Sequence, residues 1–208
     1  MTKSSGFTLI ELLVVVAILG IISAIGLFVG LLVNILFLPA IYSLIKKCKA
    51  NYTFKKFKFN HPLYILYSSG TTGVPKCITH GAGNVLLEHN KEFSLHCNIS
   101  DKDKIFYYTT TGWMMWNWLI GGLATGSSIF LYDGAPTYPK IDILLEYCQN
   151  KKLNLFGVSA KYIDHLKNNN YKAKNLDLSS VKIITSTGSP LSPESFEYIY
   201  NNIKKDVH

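Results

Sequence analysis

The chain contains no arginine. Every basic residue is lysine, so a bidentate guanidinium fork is available nowhere in its 208 residues. Charge of either sign is sparse, at 16% of residues, against roughly 25% in an average protein. Together with 48% apolar residues, this argues against intrinsic disorder. Cysteines are few: Cys48, Cys77, Cys97 and Cys148 stand 29, 20 and 51 residues apart, with no C-x-x-C pair. Such spacing excludes the usual zinc and dense-disulfide frameworks. It fits buried small hydrophobes or a reducing compartment.

The charge that is present is unevenly placed. Residues 1–59 hold seven lysines against one acid, Glu11, whereas residues 60–208 hold fourteen lysines against twelve acids. A nucleic-acid reader would carry its excess charge on the folded module; here that part is nearly neutral, so nucleic acid is not an expected partner. The mean hydropathy is +0.17, and its source is local. Residues 7–45 carry a single charge, far beyond the 18 or so apolar residues that suggest a transmembrane helix. As one helix they would reach roughly 58 Å, about twice the hydrocarbon thickness. They therefore form one helix projecting from the membrane, or two short spans turning near Gly26 and Gly30. Lys46, Lys47, Lys49, Lys55, Lys56 and Lys58 follow at once. Such a cluster favours the cytoplasmic side and, with Lys3, a two-span hairpin. The stretch 46–60 alternates Lys with Phe and Tyr. It reads equally as an interfacial segment on anionic lipid or as a solvated linker.

The segment Gly6-Phe7-Thr8-Leu9-Ile10-Glu11-Leu12-Leu13-Val14-Val15-Val16 resembles the N-terminus of type IV prepilins and pseudopilins. The resemblance implies cleavage after Gly6, methylation of the new N-terminal Phe7, and a Glu11 that pairs with a neighbouring subunit during assembly. The likeness ends after about 20 residues. Apolar sequence continues where a pilin helix would turn amphipathic.

Beyond Pro62 the pattern changes. Residues 63–67 form a short β-rich run with a buried-strand signature, closed by Ser68-Ser69-Gly70. Helical spacing over 84–97 follows. Then come a strand at 104–108, a buried helix at 113–123 and a strand at 128–132 closed by Asp133-Gly134. A helix at 141–149, a strand at 153–157, a helix at 161–167 and a strand at 181–186 complete the alternation. A last helix covers 193–203, with Ser192 as its N-cap. Strands alternating with helices predict an α/β domain with a mainly parallel sheet. The organisation expected is a leader and membrane segment at 1–45, a linker at 46–60 and the α/β domain at 61–208.

Between the first strand and the first helix stands Tyr67-Ser68-Ser69-Gly70-Thr71-Thr72-Gly73-Val74-Pro75-Lys76. Hydroxyls and glycines are packed together, then a lysine follows. Glycines let successive N–H groups turn toward an anion, hydroxyls add short donors, and lysine adds a point charge. These are the parts of a polyphosphate cradle. The loop is neither G-x-x-x-x-G-K-[ST] nor G-x-G-x-x-G.

This string resembles the phosphate loop of the adenylate-forming superfamily, which includes acyl-CoA synthetases, luciferases and adenylation domains. The resemblance implies that Ser68, Ser69, Gly70, Thr71, Thr72, Gly73 and Lys76 embrace the ATP phosphates. Thr109-Thr110-Thr111-Gly112-Trp113-Met114-Met115-Trp116 is similar to the acyl-pocket run of acetoacetate–CoA ligases, which makes Trp113 and Met114 the pocket candidates. Leu131-Tyr132-Asp133-Gly134-Ala135-Pro136 follows the same family. So does Ser186-Thr187-Gly188-Ser189-Pro190, whose Gly188, Ser189 and Pro190 the resemblance implies as the adenine wall. His80 and Asp133 read as a structural histidine and a turn residue.

The implied reaction joins acetoacetate to coenzyme A at the expense of ATP, with Mg²⁺ on the phosphates. The family's Mg²⁺-binding Glu motif and catalytic-lysine domain do not occur in the 208 residues, so no catalytic or metal-binding residue is expected here. The sequence reads as a piece of an acetoacetate–CoA ligase joined to a pilin-type leader, inactive alone and membrane-anchored, with residues 61–208 in the cytoplasm. Two alternatives stand beside it: a pseudopilin-like structural protein with an unusual head, and a non-catalytic nucleotide-binding remnant.

Overall fold

In the computed structural model of this chain, residues 53–68 and 73–208 are described. The residues from Phe57 to His208 form one compact unit. The expected membrane segment at 7–45, with Gly6, Phe7 and Glu11, lies outside the described residues. Among the described residues no helix is long and apolar enough to cross a membrane.

Strand β1 (Pro62–Ser68) pairs antiparallel with β2 (Lys76–Gly81), in register from Tyr64 opposite His80 to Ser68 opposite Lys76. The sequence marks 63–67 as a buried strand, but the pair stands apart as its own two-stranded sheet. Leu63, Ile65 and Tyr67 are exposed, while the alternate Tyr64, Leu66 and Ser68 are half-buried. Only one face of the hairpin packs, so the aromatic and β-branched run reflects strand propensity rather than burial on both sides.

Helix α1 (Ala82–Asn90) begins directly after β2 and runs into a π-helical turn, Lys91–His96. Gly83 is needed there, because a Cβ would sit 2.2 Å from the Phe59 ring. Four parallel strands then form the main sheet: β3 (Lys104–Tyr107), β4 (Ser128–Phe130), β5 (Leu155–Ser159) and β6 (Ile183–Thr187). Their order is β4-β3-β5-β6. Helix α2 (Met114–Gly121) links β3 to β4, α3 (Ile143–Lys151) links β4 to β5, and α4 (Ala160–Asn168) links β5 to β6. Helix α5 (Pro193–Tyr198) follows β6. The mixed α/β class and the parallel sheet are as the alternation predicts.

Period-2 alternation sends strand residues to opposite faces. Phe106, Phe156 and Val158 join Leu144, Leu145, Cys148 and Leu166 in the core beneath α3, α4 and α5. Ile105, Tyr107 and Leu155 join Phe93, Cys97 and Leu119 beneath α1 and α2. Burial pushes the Cys148 thiol up to about 12, so it behaves as a small hydrophobe. Ser192 caps α5 as expected, its hydroxyl accepting from the Ser195 N–H at 3.3 Å, with Pro193 at the first turn.

The helix expected at 113–123 is not buried all round. Within α2 only Leu119 is buried; Trp113 is 69% and Met114 53% exposed. One face rests on α1 and β3, and the run's high apolar content extends beyond that face.

Candidate functional site

In the main sheet the chain runs from β3 outward to β4, then crosses back past β3 to β5 and β6. The order therefore reverses between β3 and β5. In open parallel sheets the crevice beyond the carboxyl ends of the strands at such a reversal is where ligands bind. Here the carboxyl ends carry Tyr107, Ser159 and Thr187.

A cavity of about 770 Å³ lies at this end, on the α1–α2 side of the sheet. Its walls come from the hairpin, from α1 and the turn that continues it, from α2 and from β6. The inner face of the hairpin supplies Tyr64, Leu66 and His80. Helix α1 supplies Asn84 and Glu88, four residues apart on one face, and the π-helical turn that continues it supplies Glu92. Met114, Met115 and Trp118 come from α2, and residues 185–187 from β6. The size is that of a small-molecule site.

The chemistry of the walls is graded. The Trp118 ring lies tilted against Phe93 with centroids 4.2 Å apart, making the side toward α2 apolar. Opposite it β6 changes from Ile183-Ile184 to Thr185-Ser186-Thr187. The Thr187 hydroxyl is engaged with Tyr107 at 2.8 Å. Those of Thr185 and Ser186 are buried without a hydrogen-bond partner, which costs about 1–3 kcal/mol each unless something else pairs with them. Glu88 and Glu92 are both held by Lys91, at 2.8 and 3.1 Å, and that hydrogen bond keeps the Glu88 carboxyl below its usual range. His89, on α1, lies half-buried toward α2; burial lowers its pKa, against the pull of Glu88 and Glu92. Gly121 leaves room for it, since a Cβ there would lie 2.0 Å from His89 Nδ1.

The residues singled out from the sequence are distributed as follows. Ser68 ends β1 and Lys76 opens β2, directly across the hairpin. Gly73 has φ +151°, a conformation other residues rarely adopt. Val74 is 88% exposed and Lys76 is exposed. Ser69, Gly70, Thr71 and Thr72 lie outside the described residues. Met114 lines the cavity, whereas Trp113, the residue before α2, does not. Gly188, at φ +95°, turns the chain out of β6. Ser189 and Pro190 then line a separate cavity of about 270 Å³ with Ser186, Phe196 and Tyr200. The inner face of the hairpin and the strand leading into Gly188 thus border one cavity, but Ser68, Gly73 and Lys76 do not line it, and Ser189 and Pro190 face its smaller neighbour.

Several lining residues are absent from the sequence reading. Met115 belongs to the quoted acyl-pocket run and Trp118 stands two residues after it, but which residues of this helix turn inward depends on its phase. Thr185 and Thr187 alternate along a strand that ends in hydroxyls, a signal readable as polar lining. His80 and Asn84 enter only because the hairpin folds over α1. Among the described residues no group of three or more His, Cys, Asp or Glu is arranged to hold a metal ion.

A parallel α/β sheet whose strand order reverses beside a cavity at its carboxyl ends is the arrangement in which open α/β sheets bind nucleotides and other ligands. Residues 37–206 match the family model of the AMP-binding enzymes, and the chain belongs to that family. Residues 1–27 match the prokaryotic N-terminal methylation motif. The chain is 54% identical over 155 residues to acetoacetyl-coenzyme A synthetase of Rhizobium meliloti, covering 74% of this chain and 24% of that protein. It is 48% identical to acetoacetyl-CoA synthetase of Danio rerio, covering 74% and 23%. Among solved structures, acetoacetyl-CoA synthetase from Streptomyces lividans superposes with a TM-score of 0.70 at 41% identity, covering 77% of this chain and 25% of that one. The chain therefore spans about a quarter of the length of the curated relatives it matches.

Proposed function

We propose that this chain supplies the ATP-phosphate and acyl-binding wall of an acetoacetate–CoA ligase. The observation that carries the reading is the shared cavity: Tyr64, Leu66 and His80 of the hairpin that brackets the hydroxyl-rich loop, the Met114 end of the acyl-pocket run and the strand entering Gly188 all border it. The relatives' printed names supply the acid and the thiol. In the reaction proposed for the complete ligase, the acetoacetate carboxylate attacks the α-phosphorus of ATP, releasing diphosphate. The thiol of coenzyme A then displaces AMP from the acyl-adenylate.

Within this scheme Ser68, Ser69, Gly70, Thr71, Thr72, Gly73 and Lys76 hold the phosphates, and Gly188, Ser189 and Pro190 wall the adenine. Met114, with Met115 and Trp118, encloses the acyl chain; Trp113, exposed just before α2, is the other pocket candidate. The protein's contribution to the first step is positioning and charge neutralisation, with donors fixed before the charge develops. The carboxylates that border the cavity are already held by Lys91. They do not fit a Mg²⁺ site, and no step is assigned to a metal on them.

The test is binding of ATP to the 208-residue chain by titration calorimetry. Saturable binding is expected, weakened about tenfold or more by Lys76→Ala, because charge-assisted hydrogen bonds to an anion contribute about 1.5–3 kcal/mol. Absence of ATP binding, or binding indifferent to Lys76, removes the reading. Residues 7–45 are proposed to anchor the chain, residues 46–60 to link it and residues 61–208 to face the cytoplasm. What supports this is the single charge in 7–45 and the lysine cluster that follows.

A further inference from the structure

Tyr107 closes β3 and is 5% exposed. The backbone of β3 pairs with β5 no further than Tyr107 opposite Gly157, with the Tyr108 N–H donating to the Gly157 carbonyl at 2.8 Å. β5 and β6 remain paired beyond that point, to Ser159 opposite Thr187. The side chain of Tyr107 reaches across this extension. Its hydroxyl donates to the Val158 carbonyl at 3.0 Å. With its one proton so placed, it accepts from Thr187 Oγ1 at 2.8 Å.

The neighbours are shaped to allow this. A Cβ on Gly157 would lie 2.1 Å from Tyr107 Cδ2, so only glycine lets the ring lie flat over β5. Trp118 meets the ring edge-on at 6.2 Å. Thr187 is the last residue of β6, and the next residue, Gly188, has φ +95°. The direction in which Ser189 and Pro190 leave the sheet therefore depends on how Thr187 is held.

We infer that Tyr107 is a positioning residue for the nucleotide: by tying Thr187 and Val158 together it fixes the 188–190 turn without touching the ligand itself. The inference rests on the reading of that turn as the adenine wall. A β3 residue with no place in the binding motifs thus sets the geometry of a loop 81 positions later in the chain.

The experiment uses the full chain with Tyr107→Phe, Thr187→Val and the double substitution, both single changes preserving shape. The first readout is amide hydrogen exchange without nucleotide. Each single change is expected to speed exchange at Gly188 and Ser189 about fivefold, the equivalent of one buried hydrogen bond. The double is expected to match Tyr107→Phe, because that change already removes the contact with Thr187 that Thr187→Val removes. Amides of α3 keep their rates; a merely structural effect would move them too. The second readout is ATP affinity, expected to fall about fivefold in each variant and no further in the double. Unchanged exchange at 188–189 in a protein that binds ATP overturns the role of Tyr107 alone, as do additive losses. Faster exchange in a wild-type background that binds no ATP overturns the adenine reading, and with it the role of Tyr107 toward a nucleotide.

Discussion

The two faces of the parallel sheet are built to different ends. Beneath α3, α4 and α5 the strands present Phe106, Phe156 and Val158 to a core in which Leu144, Leu145 and Cys148 are sealed. Beneath α1 and α2 the strands seal Ile105, Tyr107 and Leu155, while Ile183 at the start of β6 is half-buried. The carboxyl end of β6 carries Thr185 and Thr187 toward an open cavity, with Thr187 paired to the buried Tyr107 hydroxyl. One face supplies stability and the other gives up packing for a binding surface, within strands only four or five residues long. A binding site in such a sheet needs no separate module; it needs one face to stop being apolar halfway along.

The largest effect that would break this comparison is in the sealed face. Phe106→Ala is expected to cost about 3–5 kcal/mol, through lost transfer energy and the void it leaves, a large part of the 5–15 kcal/mol typical of a domain. Met114→Ala, at the half-exposed start of α2, is expected to cost less than about 1 kcal/mol, because little buried area is lost. Urea unfolding of both variants checks the contrast. Similar costs would mean that the cavity face packs as tightly as the other.

A second test concerns the amino ends of the strands, away from the cavity. Asp103 is 3% exposed and accepts from Lys182 Nζ at 2.7 Å and from the Ser100 N–H and hydroxyl at 2.8 and 2.9 Å. It ties the start of β3 to the start of β6. Burial would raise its pKa, but the hydrogen bonds from Lys182 and Ser100 outweigh burial and hold it below the usual carboxylate range. A group depressed in the folded state stabilises above its unfolded pKa, about 3.9. That contribution is lost as pH falls through the folded value. Asp103→Asn is therefore expected to cost about 2 kcal/mol at pH 7, with the two proteins converging in stability toward pH 2. Thermal unfolding across that range measures it; a pH-independent gap would show that the charge is not what Lys182 and Ser100 read.

Much of this was legible in the sequence, because the strands and helices of the α/β part carry their own periodicity. The run 155–159 is apolar enough to be buried on both faces, and Ser192-Pro193 announces a helix start. The hairpin was harder to read. Residues 76–81 contain Lys, Thr, His and Gly, and they form a strand because β1 is there to pair with, not by propensity. The exposure of Trp113 and Met114 was illegible for a related reason: an apolar run states that a helix prefers burial, not how much of it the neighbouring elements can cover. The phosphate loop and the glycine turn were readable as motifs. The tie between Tyr107 and Thr187 was not, because it joins residues 80 apart in the chain and depends on an absent side chain at Gly157.

The smallest expected effect lies on the cavity face itself and sharpens the comparison most. Thr185 stands on β6 between Ile183, which packs in the core, and Thr187, whose hydroxyl is paired. Its own hydroxyl is buried without a partner, so in folding it gives up water and gains nothing in return. Valine has the same branched shape and suits a strand equally well. Exchanging an unpaired hydroxyl for a methyl is neutral or favourable, the reverse of what polar-to-apolar changes do where the hydroxyl is bonded. Thr185→Val is thus expected to leave stability unchanged or raise it by up to about 1 kcal/mol, whereas Thr187→Val, which breaks a made bond, is expected to lower it by a similar amount. Urea midpoints of the two variants, measured without ligand, decide the point. If Thr185→Val is the destabilising one, its hydroxyl is already bonded within the protein, and β6 does not hold it open toward the cavity.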